Sequence, residues 1–335
     1  MRRGRTLPGM PPTVAIDLPP GLEPTAWVDR RAEAAARSWC PAQRTHPGDV
    51  AWSAAQHDVD DECRSRVWCA GDASGPVLAW SRVEPAGPGV AYADVHVDPT
   101  HPEATGLAEQ ALGWSRGHAP ATLLTLLDRE RVLLDAVTAA GGREQDGPWF
   151  THLLTDLVDG SGRPLERLRP SLPAGYRVRA VTDDEADERV EVHRASWAPA
   201  RIKRLAGQVP DGEEAGSRFS RPAYDRVRAT RLYRRELDLV VEAPDGRLAA
   251  TALGWFDERS RSGLIEPVGT APSHATRGLA RAACAQLIRE LARIGARTAL
   301  VCPRGDAGYP IPARLYRSLG MVPVARTRTF RLGSG

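Results

Sequence analysis

The stretch SGLIEPVGTAPSHATRGLARAACAQLIRELARI, residues 262–294, holds a strand, a loop and a helix in succession. The helix is predicted by apolar residues at spacings of three and four: Leu279, Ala283, Leu287, Leu291 and Ile294. The first backbone N–H groups of a helix lack intrahelical acceptors, and the helix dipole adds positive charge there. We therefore predict an anion-binding loop at residues 277–280, where Gly278 and Ala280 let a phosphate approach the backbone.

This loop differs from two common phosphate-binding loops. No Gly-Lys-Ser/Thr follows it, which excludes a P-loop, and G-x-G-x-x-G is absent, which excludes a dinucleotide fingerprint. Pro267 lies inside the preceding strand. Because proline cannot donate to a strand ladder, it predicts a bulge or a missing partner strand at that point.

Two motifs in this half resemble those of the GNAT N-acetyltransferase superfamily. Residues 270–272 (TAP) with 277–280 (RGLA) are similar to its motif A, and residues 315–321 (LYRSLGM) are similar to its motif B, L-Y-x-x-x-G-F. Two motifs in the expected order, about 40 residues apart, are more specific than either alone. The sequence departs from the family at Ala275, where Gln or Arg is usual, and at Met321, where Phe is usual.

The resemblance implies an α/β fold, with a mixed, mostly antiparallel sheet flanked by helices. It also implies that acetyl-CoA, or another acyl-CoA, binds in a cleft where two strands separate. The residues of this sequence that would hold it are Val268, Thr270, Arg277, Gly278, Leu279, Ala280 and Arg281.

Two residues are candidates for catalysis. Tyr316 matches the motif B tyrosine, which in the family donates a hydrogen bond or proton to the CoA sulfur; a phenol with a reference pKa near 10 stays protonated at neutral pH. Glu266 is the candidate base for the amine, because strand alternation would place Leu264, Glu266, Val268 and Thr270 on one face. The structural alternatives are that Tyr316 packs against a helix face and that Glu266 is a solvated or ion-paired strand residue.

The first half of the chain repeats this pattern. Residues 99–101 (PTH) and 105–108 (TGLA) match residues 272–274 (PSH) and 277–280, with one extra residue in the first loop. We therefore predict two tandem GNAT-like domains. Their expected limits are a disordered tail at 1–12, an N-terminal domain at 13–157, a linker at 158–171 and a C-terminal domain at 172–332.

The N-terminal domain is predicted to be non-catalytic. In a sequence alignment of the halves, Ala93 stands opposite Glu266 and Val137 opposite Tyr316. Its loop carries Glu103 and no arginine or lysine. Whether it retains a structural acetyl-CoA or is a degenerate packing domain stays open; the residues that would hold the cofactor are Val95, Val97, Gly106, Leu107 and Ala108.

Composition excludes several classes of protein. The 45 basic and 42 acidic residues give a net charge of +3, without the clustered charge of a nucleic-acid surface. No run of 18 apolar residues predicts a membrane span, and the N-terminus has no apolar signal segment. Five cysteines, an odd number without C-x-x-C spacing, favour a reducing cytoplasm over disulfides or a zinc site.

The expected function is acetyl transfer from acetyl-CoA to a primary amine of a small molecule, by direct attack in a ternary complex in the C-terminal domain. The alternative is a non-catalytic tandem GNAT protein that binds or senses acyl-CoA. The tandem order is similar to that of mycothiol synthase and of GNAT proteins from antibiotic clusters of the clavulanic acid type. His193, Trp197 and residues 198–221 would border the acceptor; the oligomeric state, monomer or homodimer, stays open.

Overall fold

The computed structural model of the protein describes residues 11–21, 23–56, 62–159, 168–197, 217 and 219–333. The chain folds into two compact units, and each unit is made of separate stretches of sequence that alternate along the chain. The N-terminal unit lies within Met1–Val50, His57–Gly147 and Ala325–Gly335. The C-terminal unit lies within Ala51–Gln56 and Pro148–Val324.

The N-terminal unit is a mixed sheet with helices packed on it. Its strands are β1 (Thr13–Asp17), β2 (Arg64–Ala70), β3 (Val77–Gly87), β4 (Val90–Val97), β5 (Ala121–Leu127), β6 (Arg143–Glu144) and most of β13 (Val322–Gly333). Its helices are α1 (Thr25–Ser38), the first residues of α2 (Pro47–Ala55), α3 (Ala104–Arg116) and α4 (Arg131–Ala139). The strands follow the order β1-β2-β3-β4-β5-β13, and the β4–β5 pair is parallel.

The C-terminal unit repeats this plan. Its strands are β7 (Thr151–Asp156), β8 (Arg177–Ala180), β9 (Asp238–Glu242), β10 (Leu248–Asp257), β11 (Ser262–Thr270) and β12 (Thr298–Val301). Its helices are α5 (Ala186–Trp197), α6 (Arg221–Ala229), α7 (Leu279–Arg293) and α8 (Ile311–Arg317). The strand order is β7-β12-β11-β10-β9-β8, with β11 and β12 parallel. The α/β fold and the order of elements predicted for the two halves are therefore confirmed.

Helix α7 packs closely on the sheet of the C-terminal unit. The residues that predicted its apolar face, Leu279, Ala283, Leu287 and Leu291, are all at most 1% exposed. A Cβ atom on Gly254 or on Gly263 would lie 2.7 Å from a side-chain carbon of Leu287 or Leu291, respectively. These two strand glycines therefore set how near the helix comes to β10 and β11.

The last strand of each half belongs to the other unit. Strand β7, which the sequence assigns to the N-terminal domain, pairs with β12 over four residues. Strand β13, which the sequence assigns to the C-terminal domain, pairs with β5 over residues 327–333. The boundaries at 157 and 332 are thus corrected, because long-range pairing and not chain order decides where a closing strand lies.

The predicted tail at 1–12 and linker at 158–171 lie largely outside the described residues, at 1–10 and 160–167. Within the described ranges, no helix combines the length and the apolar character that crossing a membrane requires.

The exchange of strands predicts which unit a C-terminal substitution weakens. Leu332 is fully buried in the N-terminal core with Leu124 and Val137. Leu332→Ala should lower the free energy of unfolding of that unit by about 2–5 kcal/mol, as for other buried leucines. Hydrogen exchange should increase in β5 and stay unchanged in β12, with exposed Arg331→Ala as the control. Faster hydrogen exchange in β12 alone would contradict the assignment of β13 to the N-terminal unit.

Candidate functional site

Strand β11 parts from β12 part-way along the C-terminal sheet, where the predicted cleft would open. Their parallel pairing consists of three residue pairs, 262–264 with 298–300, although β11 continues to Thr270. On its other edge, β11 pairs with β10, with Gly254 opposite Ile265 and Ala252 opposite Val268. Three steps along β11 thus match two along β10, which is a bulge at Glu266 and Pro267. Both features that Pro267 predicted are present at this point.

The bulge changes which side chains share a face. Val268 packs against the core that contains Ala252, and Thr270 follows it at the same spacing. Leu264 pairs with Trp255, and the next pair is Ile265 with Gly254. Adjacent pairs point to opposite faces of the sheet. The prediction that Leu264 shares a face with Val268 and Thr270 is therefore wrong, because one extra residue reverses the alternation.

A tryptophan fixes the bulge. The indole Nε1 of Trp255, a fully buried residue on β10, donates a hydrogen bond of 2.8 Å to the backbone oxygen of Glu266. This bond satisfies a carbonyl group that an uninterrupted ladder would otherwise use. Sequence reasoning missed Trp255, since a tryptophan on a buried strand reads first as core.

The loop after β11 presents backbone donors. Gly278, the N-cap of α7, has φ +77°, and a Cβ atom there would meet no atom within 4 Å. Thr276 has φ +64°, which is rare for a β-branched residue and is the kind of strain found at binding sites. The first helical bond runs from the N–H of Ala282 to the oxygen of Gly278. Among the described residues, no acceptor is bonded to the N–H groups of residues 277–280.

The two arginines of this loop have different partners. Arg277 donates to the Tyr176 hydroxyl at 2.8 Å, and this hydroxyl lies 3.0 Å from Nδ1 of His274. Arg281 instead donates to the hydroxyl and backbone oxygens of Ser318, at 3.2 and 3.3 Å. Arg277 is thus exposed and oriented beside the loop, whereas Arg281 ties the start of α7 to the end of α8.

Tyr316 lies near Glu266, the other candidate for catalysis. Tyr316 is 6% exposed and packs in the core with Cys284 and Leu319. Burial raises the pKa of Tyr316 well above its usual range, and the neighbouring Cys284 thiol and Glu266 carboxylate raise it further. Tyr316 therefore stays protonated at neutral pH. Sequence reasoning missed Cys302, which together with Tyr309 also raises this pKa.

The equivalent loop of the N-terminal unit is closed. Helix α3 begins at Ala104, so Gly106 lies inside the helix without a positive φ. The N–H of Leu107 already donates to the oxygen of Glu103 at 2.9 Å. Leu107 and Ala108 are core residues at 1% and 0% exposure. Gly106 and Ala108 therefore do not lie at an open helix N-terminus, because the helix starts one turn earlier than in the C-terminal unit.

The other two predicted ligands of that unit, Val95 and Val97, are also core residues, each 2% exposed. Both pack in the apolar cluster beneath α3. The structure therefore does not bring the five residues predicted for an N-terminal cofactor site together around an open loop.

The counterpart of Glu266 is also corrected. Pairing of β3 with β4 runs without a shift from Ala79 opposite Val97 to Pro85 opposite Ala91. When Val97 is matched to Thr270, the extra residue in β11 moves the counterpart of the bulge from Ala93 to Asp94. Arg44 forms an ion pair with Asp94. The N-terminal unit thus has a carboxylate at this position, already paired with a guanidinium.

The match of Val137 to Tyr316 holds. The N–H of Gly142 donates to the Val137 oxygen at 2.9 Å, and the N–H of Met321 donates to the Tyr316 oxygen at 3.2 Å. Val137 is fully buried and has no polar atom to offer. This unit therefore lacks the phenol that its partner has.

His193 and Trp197, which are predicted to border the acceptor, both lie on α5. His193 is 4% exposed between Trp52 and Phe219, and burial lowers its pKa to about 3. It is therefore neutral at physiological pH. Trp197 is 44% exposed at the end of α5. The segment predicted to line the acceptor lies largely outside the described residues, at 198–216 and 218.

The two loop glycines should respond in opposite ways to alanine. Gly106→Ala should raise the free energy of unfolding by about 0.5–1 kcal/mol, because the site is helical and has open space around it. Gly278→Ala should lower it by about 1–2 kcal/mol, the cost of a left-handed residue with a side chain. Urea denaturation measures both; a destabilising Gly106→Ala would contradict the early start of α3.

Comparison with known proteins agrees with this geometry. Residues 209–321 match the acetyltransferase (GNAT) family. No curated protein matches the chain in sequence. Among solved structures, a tandem GNAT protein from the clavulanic acid biosynthesis pathway is 17% identical with a TM-score of 0.58, covering 97% of this chain and 99% of that one. A GCN5-related N-acetyltransferase from Sphaerobacter thermophilus is 20% identical with a TM-score of 0.52, covering 98% and 97%.

At these identities the likeness concerns the fold. It extends over nearly the whole chain in both comparisons, whereas the sequence match is confined to the C-terminal half. The chain is therefore a tandem GNAT-fold protein whose C-terminal half carries the match to the acetyltransferase family.

Proposed function

We propose that the protein is an acyl-CoA-dependent N-acyltransferase, which transfers acetyl from acetyl-CoA to a primary amine of a small molecule in its C-terminal unit. The observation that carries the proposal is the convergence of three features at one cleft. These are the separation of β11 from β12, the open loop at Gly278, and the proximity of Glu266 to the buried Tyr316 phenol.

The C-terminal cleft fits an acyl-CoA. The N–H groups of residues 277–280 would hold its pyrophosphate, with Arg277 beside them and Val268 and Thr270 at the unpaired edge of β11. Both strand residues are partly exposed, as a ligand-lining position requires. When bound, the acyl-CoA supplies an activated acyl thioester. The N-terminal loop does not fit, because its helix begins earlier and the N–H of Leu107 already donates to the oxygen of Glu103.

Tyr316 serves best as a hydrogen-bond donor. Its pKa lies well above the usual range, so the phenol retains its proton and can stabilise a developing thiolate from a buried position. Because a phenol with a raised pKa is a weak acid, a hydrogen bond to the thiolate is favoured over complete proton transfer to it. Of the two roles that the motif implies for Tyr316, donation of a hydrogen bond or of a proton, we therefore propose the hydrogen bond.

Glu266 would accept the proton of the incoming amine, directly or through water. Its backbone oxygen is held by Trp255, so the side chain leaves a fixed point of the bulge. The residue is partly buried and lies near enough to Tyr316 to affect that group's pKa. A base and a hydrogen-bond donor near one another are what direct attack in a ternary complex requires.

Intermediates of antibiotic pathways are the first acceptors to test, given the likeness to a clavulanic acid pathway protein. We propose a cytoplasmic location from the cysteine pattern of the sequence. Native mass spectrometry of the purified protein should reveal one bound acyl-CoA per chain. Release of CoA thiol upon addition of amines from a panel then tests transfer; binding without transfer to any amine would favour the acyl-CoA-binding alternative.

Gly278→Glu should weaken acetyl-CoA binding by about 100-fold or more. A carboxylate would repel the pyrophosphate and cover the N–H groups that bind it. Calorimetry with acetyl-CoA measures the effect. The control is Gly246→Glu, since Gly246 has φ +85°, equally open space, and a place in the turn between β9 and β10. Equal affinity in both variants would remove the loop from the cofactor site.

Tyr316→Phe should lower kcat by about 10²- to 10³-fold, as expected when one donor to developing charge is lost. The ring and its packing remain, so KM for acetyl-CoA and thermal stability should change little. The single-turnover rate separates this effect from slow product release. Tyr92→Phe, at a mostly buried tyrosine of the N-terminal unit, should leave turnover unchanged. A wild-type rate for Tyr316→Phe would reduce Tyr316 to a packing residue.

A further inference from the structure

Residues 149–151 run alongside the loop that leads to the helix of Tyr316. After β12 ends, the N–H of Thr151 donates to the oxygen of Pro303 at 2.9 Å, and the N–H of Gly305 donates to the oxygen of Trp149 at 2.7 Å. Phe150 and Arg304 form an antiparallel bridge between these bonds. The pairing of β7 with β12 is thus extended past the strand into the loop.

Gly305 shows how close this contact is. A Cβ atom there would lie 2.1 Å from Oγ1 of Thr151 and 2.6 Å from Nε1 of Trp149. Both distances are shorter than carbon approaches nitrogen or oxygen without a bond, so any larger residue must displace these side chains, the loop or the strand. Its φ is not positive, so glycine is required here by space and not by conformation.

The loop carries this constraint to the candidate catalytic residue. It begins at Cys302 and includes Tyr309, and both raise the pKa of the Tyr316 phenol, which places them near that group. Arg304 and Asp306 form an ion pair within the loop, and the N–H of Gly308 donates to Asp306 at 2.7 Å. The loop is thus internally braced between its contact with residues 149–151 and the start of α8.

We propose that residues 149–151 and Gly305 form a clamp that positions α8, and with it Tyr316, for acyl transfer. Within the C-terminal unit the clamp joins a segment encoded before the linker to the loop that precedes α8. These are positioning residues, because they act on the reaction through α8. The catalytic part of the inference rests on the proposed function; the positioning part does not.

The test is Gly305→Ala, measured in the full-length protein by hydrogen exchange and by CoA release with the best acceptor of the amine panel. Amide protection in α8 should fall by about tenfold or more, while protection in α7 stays unchanged. The kcat should fall by about 10- to 100-fold, the effect of displacing a catalytic group by about 1 Å. KM for acetyl-CoA should stay within about threefold, because the Gly278 loop is not touched.

Gly308→Ala is the matched control. It lies in the same loop, and its Cβ would meet the side-chain ends of Asp306 and Arg304, not residues 149–151. Both the exchange of α8 and kcat should change much less than in Gly305→Ala, because these flexible side-chain ends can move aside while the contact with residues 149–151 is kept. Equal losses in the two variants would mean that the loop is generally intolerant and would overturn the clamp.

Rescue separates positioning from loss of stability. Adding Thr151→Ala to Gly305→Ala removes the nearest atom, Oγ1, and should restore part of the kcat and of the α8 protection. If Gly305→Ala does not fold, Trp149→Ala loosens the same contact from the strand side and should produce the same faster exchange in α8. A folded variant with wild-type protection in α8 overturns the proposal. Faster exchange in a protein whose wild type acetylates no amine would retain the clamp and refute the transferase.

Discussion

The single extra residue in β11 determines the geometry of the C-terminal site. It interrupts the ladder with β10 at Glu266 and Pro267, just beyond the last pair with β12. A proline has no N–H to lose at such a point, and the Trp255 indole satisfies the Glu266 carbonyl. At Glu266 and Pro267 the strand can therefore leave the regular ladder with the Glu266 carbonyl still hydrogen-bonded and with no proline N–H to satisfy.

The same position in the N-terminal unit shows what an unbulged strand does. Its ladder continues through Asp94, and the carboxylate there is held by Arg44. Helix α3 meanwhile takes up the residues that would form a donor loop around Gly106. Under the proposed function, this unit would have lost activity by filling and neutralising the site, and by having Val137 in place of a tyrosine, while keeping its carboxylate.

Local patterns predicted what depends on neighbours in the chain. The spacing of Leu279, Leu287 and Leu291 gave α7, and Pro267 gave the bulge. The sequence could not identify the counterpart of Glu266. An alignment without gaps matches residues one to one, whereas the bulge in β11 adds a residue that has no equivalent in β4. Nor could the sequence assign β7 and β13, since both read as closing strands and only pairing with β12 and β5 decides their unit. Gly106 matches Gly278 in sequence but not in structure, because the helix begins before Gly106 in one unit and after Gly278 in the other.

The exchange of strands has a consequence for how the two halves depend on each other. The C-terminal unit includes β7, whose residues precede the linker, and the loop toward Tyr316 follows that same segment past the end of β12. A unit that lacked residues 148–157 would therefore expose the edge of β12 and release the loop together. Since the N-terminal sheet likewise takes β13 from the end of the chain, neither half contains all of its own strands. The N-terminal half thus supplies a strand to the C-terminal unit, whether or not it binds acyl-CoA.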